Sequence, residues 1–241
     1  MDLKHILDLA VRDEIVRTNQ ALDLSIPRSV RAVDKRTATP RQAMTAIAAL
    51  GLRERLIVRL ALFVGLRPGE IFGLCWGHLS ADSAVIKQRV YRGTVDTVKN
   101  GRPRVVALPV TVRADIERWA ELCFDLSPTA WVFPSETVGR PGNKDSVWRH
   151  GIAPVLQPFG LDWMNFQVMR RTWTTLAAGA GVDPKVRADQ LGHGVDVDLN
   201  EYTQVDLGRK LAAVEAVERL LEGTELVQAE TVLEISGELL F

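Results

Sequence analysis

Four short segments carry polar groups that a packing role alone leaves unexplained. Gly65-Leu66-Arg67-Pro68-Gly69-Glu70 puts an arginine at a Gly/Pro-bounded turn after an apolar run, with a carboxylate three residues on to orient it. Val98-Lys99-Asn100-Gly101-Arg102-Pro103-Arg104 places a lysine beside a tight-turn pair. Gln167-Val168-Met169-Arg170-Arg171-Thr172 sets two arginines on a helix whose Phe166, Met169, Trp173 and Leu176 read as buried. A charge near a buried face is costly without a partner, so one of these arginines is a candidate for holding an anion. The last segment, Leu191-Gly192-His193-Gly194, is followed by Glu201-Tyr202-Thr203, the tyrosine standing nine residues beyond the histidine. Taken singly, each segment has a plainer explanation: a helix-end salt bridge, a basic turn, a capping histidine, a core tyrosine.

The elements that must position these groups are mostly helices. Residues 2–18 carry apolar groups near helical spacing and lead to the extended exit Ser25-Ile26-Pro27. Residues 28–39 hold Arg28, Arg31, Lys35 and Arg36 without apolar periodicity and read as a basic linker. Thr39-Pro40 is a cap residue followed by proline at the first helical position, predicting a helix to about Leu50. A second helix over about 53–65 carries Leu56, Ile57, Leu60, Ala61 and Val64 on one face, and a short one follows over 70–74. The run from Ser83 to Tyr91 is rich in β-branched residues, and Val105-Val106-Ala107-Leu108 matches it across Asn100-Gly101, a strong hairpin signal. Further helices are predicted over about 112–123, 144–155, 166–178, 184–190 and 208–221. The fold class is thus mainly α with a small antiparallel β-sheet, an α+β arrangement. The tail, residues 224–241, alternates acidic and apolar groups and suits packing on this chain or on a neighbour.

The formal net charge of zero argues at first against a polyanionic partner. Its distribution answers the objection: residues 191–241 hold 11 acidic and 3 basic side chains, so the first 190 residues carry +8. Cys75 and Cys123 lie without a CxxC pair or a His-rich motif and read as reduced core thiols, with no zinc site or disulfide framework. The start of the chain is no signal sequence, and the longest apolar stretch, Leu56 to Leu66, is interrupted by Arg59; a soluble cytoplasmic protein without a membrane partner is expected.

In this order and spacing the four segments resemble the catalytic domain of the tyrosine recombinase and phage integrase family, from about Thr39 to Leu221. The resemblance rests on Gly-Leu-Arg-x-x-Glu (Gly65 to Glu70) and a turn lysine leading into Leu-Pro (Lys99 to Pro109). A four-residue motif ending in arginine follows (Gln167 to Arg170), then Leu-Gly-His (Leu191 to His193) and Tyr202. It implies the DNA breaking-rejoining fold and cleavage of double-stranded DNA through a 3′-phosphotyrosyl link, with no cofactor and no metal. By resemblance Arg67 and Arg170 match the two phosphate-binding arginines, whose forks neutralise non-bridging oxygens. Tyr202 matches the nucleophile, Lys99 the donor of a proton to the leaving 5′-oxygen, and His193 the histidine that hydrogen-bonds the phosphate.

Three departures stand out. Gln167 occupies the position where relatives usually carry histidine or lysine; an amide donates a hydrogen bond but takes or gives no proton near neutral pH. Arg171 stands where many relatives have a second histidine. Relatives also have an N-terminal core-binding domain of roughly 80 to 100 residues, and residues 1–27 look like a remnant of its final helix. The expected organisation is therefore this remnant, the linker 28–39, a catalytic domain over 40–223 and the tail 224–241. In relatives the segment beyond the tyrosine docks on the next protomer, an expectation for this tail as well. The alternative to an active recombinase is a catalytically impaired DNA-binding relic or regulator of a mobile element.

Overall fold

The computed structural model describes residues 3–24, 35–98, 101, 103–192 and 194. The chain divides into two compact units between Arg36 and Thr37. In the first, helix α1 (Leu3–Arg12) ends sooner than the apolar spacing predicts, because Glu14 takes a left-handed backbone (φ 56°) that no α-helix continues. The chain then folds back through Asn19, whose amide donates to the Lys4 carbonyl at 2.8 Å and to Asp8 Oδ1 at 2.7 Å.

The second unit opens on α2 (Pro40–Ala49), started by the cap the sequence predicts: Thr39 Oγ1 accepts from the Gln42 N–H at 3.2 Å, and Gln42 Oε1 accepts from the Thr39 N–H at 2.9 Å. α3 (Leu52–Leu62) runs through the core, with Leu56, Ile57, Val58, Leu60, Ala61 and Leu62 all buried. Two of its arginines face α5 (Val110–Ala120), where the buried Asp115 accepts from Arg55 Nε at 3.0 Å and from Arg59 Nη1 at 2.7 Å. α4 (Pro68–Phe72) follows α3 along the chain. Residues 144–156 are helical throughout but not uniformly α. α6 (Lys144–Ser146) and α7 (Ala153–Leu156) flank a wide π turn over Val147–Ile152. Pro154 has no N–H to give and its ring crowds the preceding turn, which widens so that the Ala153 N–H reaches the Trp148 carbonyl. α8 (Phe166–Gly179) and α9 (Pro184–Leu191) complete the described helices, capped by Asn165 and Asp183.

The strands differ from the expected single sheet. The apolar run from Ser83 breaks at Lys87: β1 (Ser83–Ile86) pairs antiparallel with β4 (Arg104–Ala107), while β2 (Gln88–Tyr91) pairs with β3 (Thr94–Thr97) in a separate hairpin. That hairpin closes at Arg92-Gly93, with φ of 50° and 78°, the primed-turn geometry that matches strand twist. An arginine is an unusual occupant of a left-handed turn position, which is why the sequence does not announce it. Asn100, Lys99 and Arg102 lie outside the described residues, as do the linker from 28 to 34, the helix expected over 208–221 and the tail. Cys75 is buried, but Cys123 is only half-buried rather than a core thiol; both are free. Among the described residues no helix is long and apolar enough to cross a membrane.

Candidate active site

The site begins at the end of α3. Gly65 takes a left-handed backbone, φ 75°, and a Cβ there would stand 2.5 Å from the Leu191 side chain, so the turn requires glycine on both counts. Trp173 of α8 fixes the same turn by donating from its indole N–H to the Phe63 carbonyl at 2.9 Å. Arg67 follows as the residue before α4, with Pro68 at the first helical position. The Glu70 carboxylate, one turn in, accepts the Arg67 backbone N–H at 2.9 Å and Arg67 Nη1 at 3.0 Å. The expected orienting role of Glu70 thus has a geometry.

Glu70 is also held by a residue that the motif reading passed over. Arg104, the first residue of β4, forks onto both carboxylate oxygens, Nη1 at 3.0 Å and Nη2 at 2.8 Å, and its Nε donates to the Gln190 carbonyl at 3.1 Å. A sequence signal existed: Arg104 shares a strand face with Val106, which is fully buried, and strand alternation therefore points the arginine inward. Burial by itself would push the Glu70 carboxyl up, but the Arg104 fork and charge, with the Arg67 N–H and charge, outweigh it and hold the group below its ordinary range.

Arg170 comes from α8 and is 4% exposed. Its Nη1 donates to the Gly65 carbonyl and its Nη2 to the Leu191 carbonyl at 2.7 Å. Arg67 Nη1 reaches the same Leu191 carbonyl at 3.3 Å. Three guanidinium groups from α4, α8 and β4 therefore meet on the last two carbonyls of α9, the end of a helix at which backbone dipoles favour positive charge. Beyond Leu191 the helix stops at Gly192 in a left-handed conformation, φ 67°.

Arg67, Arg170 and Gln167 line one concavity of about 340 Å³, together with Glu70, Arg89 and Lys144. Four cationic side chains to one carboxylate make it basic. Gln167 sits exposed in the first turn of α8, above the Asn165 cap. Arg171, the neighbour that the sequence could not separate from Arg170, is half-buried, and Leu176 is 41% exposed rather than core. Arg89 and Lys144 belong to no sequence motif; they pair with Asp96 and Asp145. Lys99, His193 and Tyr202 lie outside the described residues, so of the six candidates the structure brings together Arg67, Gln167 and Arg170. Among the described residues no cluster of three or more His, Cys, Asp or Glu could hold a metal ion.

Known proteins share this architecture. The Tn1549 transposon integrase in complex with a circular intermediate DNA superposes with a TM-score of 0.70 at 19% identity, over 88% of this chain and 76% of that one. The XerA recombinase gives 0.60 at 18% identity, over 89% and 74%. In sequence, the tyrosine recombinase XerC of Mesorhizobium japonicum is 26% identical over 225 residues, 89% of this chain and 69% of the relative. The phage integrase family profile matches residues 37–209, well over half of the chain and all of the elements that build the concavity, and on that match the chain belongs to the phage integrase family.

Proposed function

We propose that this chain is a site-specific DNA recombinase that cuts and rejoins double-stranded DNA through a 3′-phosphotyrosyl intermediate, with Arg67, Lys99, Gln167, Arg170, His193 and Tyr202 as its site. The observation that supports this most is the meeting of the Arg67 and Arg170 guanidinium groups on the Leu191 carbonyl at the edge of one basic concavity. Two guanidinium groups held on one carbonyl suit the non-bridging oxygens of a single phosphate, whose charge must be neutralised before a nucleophile can approach.

In this reading the Tyr202 hydroxyl gives its proton to solvent as its oxygen attacks phosphorus, and the 5′-oxygen departs with a proton from the Lys99 ammonium. The bond energy is kept in the phosphotyrosyl ester, so religation by a 5′-hydroxyl needs no nucleotide. His193 and Gln167 donate hydrogen bonds to the phosphate. Gln167 cannot move a proton, which leaves deprotonation of the phenol less assisted than in relatives with histidine. Residues 40–223 form the catalytic domain in this scheme, residues 1–27 the end of a DNA-clamping domain on the linker 28–39, and the tail 224–241 a docking segment for the next protomer on DNA. Work on DNA implies a cytoplasmic protein.

The test is a pool of nicked suicide duplexes with randomised sequence. The unmodified chain should form a covalent protein–DNA adduct resistant to boiling in detergent, and Tyr202→Phe should form none. Salt-sensitive DNA binding with no adduct from the unmodified chain would leave the relic reading in its place.

A further inference from the structure

The strand that carries Arg104 has no place in the reaction proposed above, yet this residue makes three side-chain hydrogen bonds to the groups that hold Arg67 and end α9. Its side chain is 13% exposed. It spans two bodies: its fork closes on the Glu70 carboxylate in α4, and its Nε holds the Gln190 carbonyl at the end of α9. The glycine after α9 is shaped around it, since a Cβ on Gly192 would stand 2.7 Å from Arg104 Nη1. From the other side, Gln190 is locked to the same strand: its Oε1 accepts the Ala107 N–H at 3.1 Å, and its Nε2 donates to the Ala107 carbonyl at 3.3 Å.

We infer that Arg104 is a positioning residue: it fixes the Glu70 carboxylate, and through it the direction of the Arg67 guanidinium, relative to the α9 end from which the Leu191-Gly192-His193 segment departs. The physical basis is the sharing of two carboxylate oxygens between two arginines. Each oxygen of Glu70 accepts one bond from Arg67 and one from Arg104. Without the Arg104 fork the carboxylate keeps its contacts to Arg67 but loses the restraint on its own rotation, and the guanidinium it orients turns with it. A lysine at 104 preserves the charge and cannot make the planar, two-pronged contact. The strand thereby couples two parts of the site that are far apart in sequence. Arg104 itself does not line the concavity, so it acts through Arg67 rather than on the substrate. This inference rests on the reading that Arg67 holds the scissile phosphate.

The full chain with Arg104→Lys provides the test through two readouts. The first is the arginine side-chain Nε–H spectrum, with the Arg67 signal identified by its loss in Arg67→Lys; Arg104→Lys should move that signal toward the position of a free arginine. The second is the single-turnover rate of adduct formation at saturating DNA, well below the melting temperature of every variant. Arg104→Lys should slow it roughly 10- to 100-fold, the range for a displaced reacting group, with DNA affinity unchanged. In an Arg67→Lys background the same substitution should slow it less than about threefold, because the two changes act through one group. An unmoved Arg67 signal, or equal slowing in both backgrounds, overturns the inference in favour of a purely structural strand arginine. A displaced Arg67 signal in a chain that forms no adduct at all sustains the positioning and instead removes the proposed cleavage. Should Arg104→Lys fail to fold, Arg104→Gln removes the same fork without touching the Glu70–Arg67 contacts and is read in the same way.

Discussion

Glu70→Gln keeps the size of the side chain and removes one buried negative charge. The carboxylate, 3% exposed, accepts four N–H groups, two on each oxygen. Whichever way the amide turns, one oxygen becomes an NH2 group, so two of the four bonds become contacts between donors. Two lost charge-assisted bonds at a buried site amount to roughly 3–5 kcal/mol. Arg67 is 29% exposed and recovers some hydration, which lowers the expected loss to about 3 kcal/mol, whereas Arg104 at 13% recovers little. In a chain of this size that corresponds to a melting temperature lower by about 6–12 °C. Urea unfolding of both proteins, followed by circular dichroism from neutral pH downward, separates charge from shape. The folded-state pKa of Glu70 lies below its ordinary value of 4.5. The stability it contributes is therefore fully present above that value and is lost as pH falls through the lower, folded-state value. The gap between wild type and Glu70→Gln should be constant down to about pH 5 and close below it. A loss under about 1 kcal/mol at neutral pH, or a gap that does not change on acidification, would refute the assignment of Glu70 as a charged anchor.

Away from the site, Asp115→Ala strands Arg55 and Arg59, which are 26% and 18% exposed and can rehydrate in part, so a loss of about 2 kcal/mol is expected in urea unfolding, with DNA affinity by filter binding unchanged. Gly192→Ala meets both an unfavourable backbone and the Arg104 guanidinium; it should cost about 1–2 kcal/mol and slow adduct formation, and a neutral effect on both would mean that the α9 turn is not built as described. Gln167→His restores a proton-transferring group to the concavity, so adduct formation should accelerate and its pH–rate profile should gain an inflection near pH 6.5 or so. A rate and profile identical to those of the parent would place the limitation elsewhere.

The elements and the motifs were legible because their causes are local. Thr39-Pro40 with Gln42 three residues on from the threonine starts α2 through contacts within one turn, and the apolar faces of α3 and α8 follow from helical spacing. The order of Gly65 to Glu70, Gln167 to Arg170 and Leu191 to His193 carries the family, since each motif is contiguous. Local rules also show where they stop: the run from Ser83 to Tyr91 reads as one strand, but competition between two partners splits it at Lys87, and pairing with β3 or β4 is a property of the whole fold. The same holds for the site. Nothing in the neighbourhood of Arg104 says that its fork closes on Glu70, 34 residues away, or that Arg67 and Arg170 share the carbonyl of Leu191, 124 and 21 residues from them. Those contacts exist because burying the α3 and α8 faces together brings the ends of α4, β4 and α9 to one place, and a buried charge there must take whatever partner packing supplies. Sequence determined which groups are present and in what order; tertiary structure decided which arginine faces the concavity and which one holds it in place.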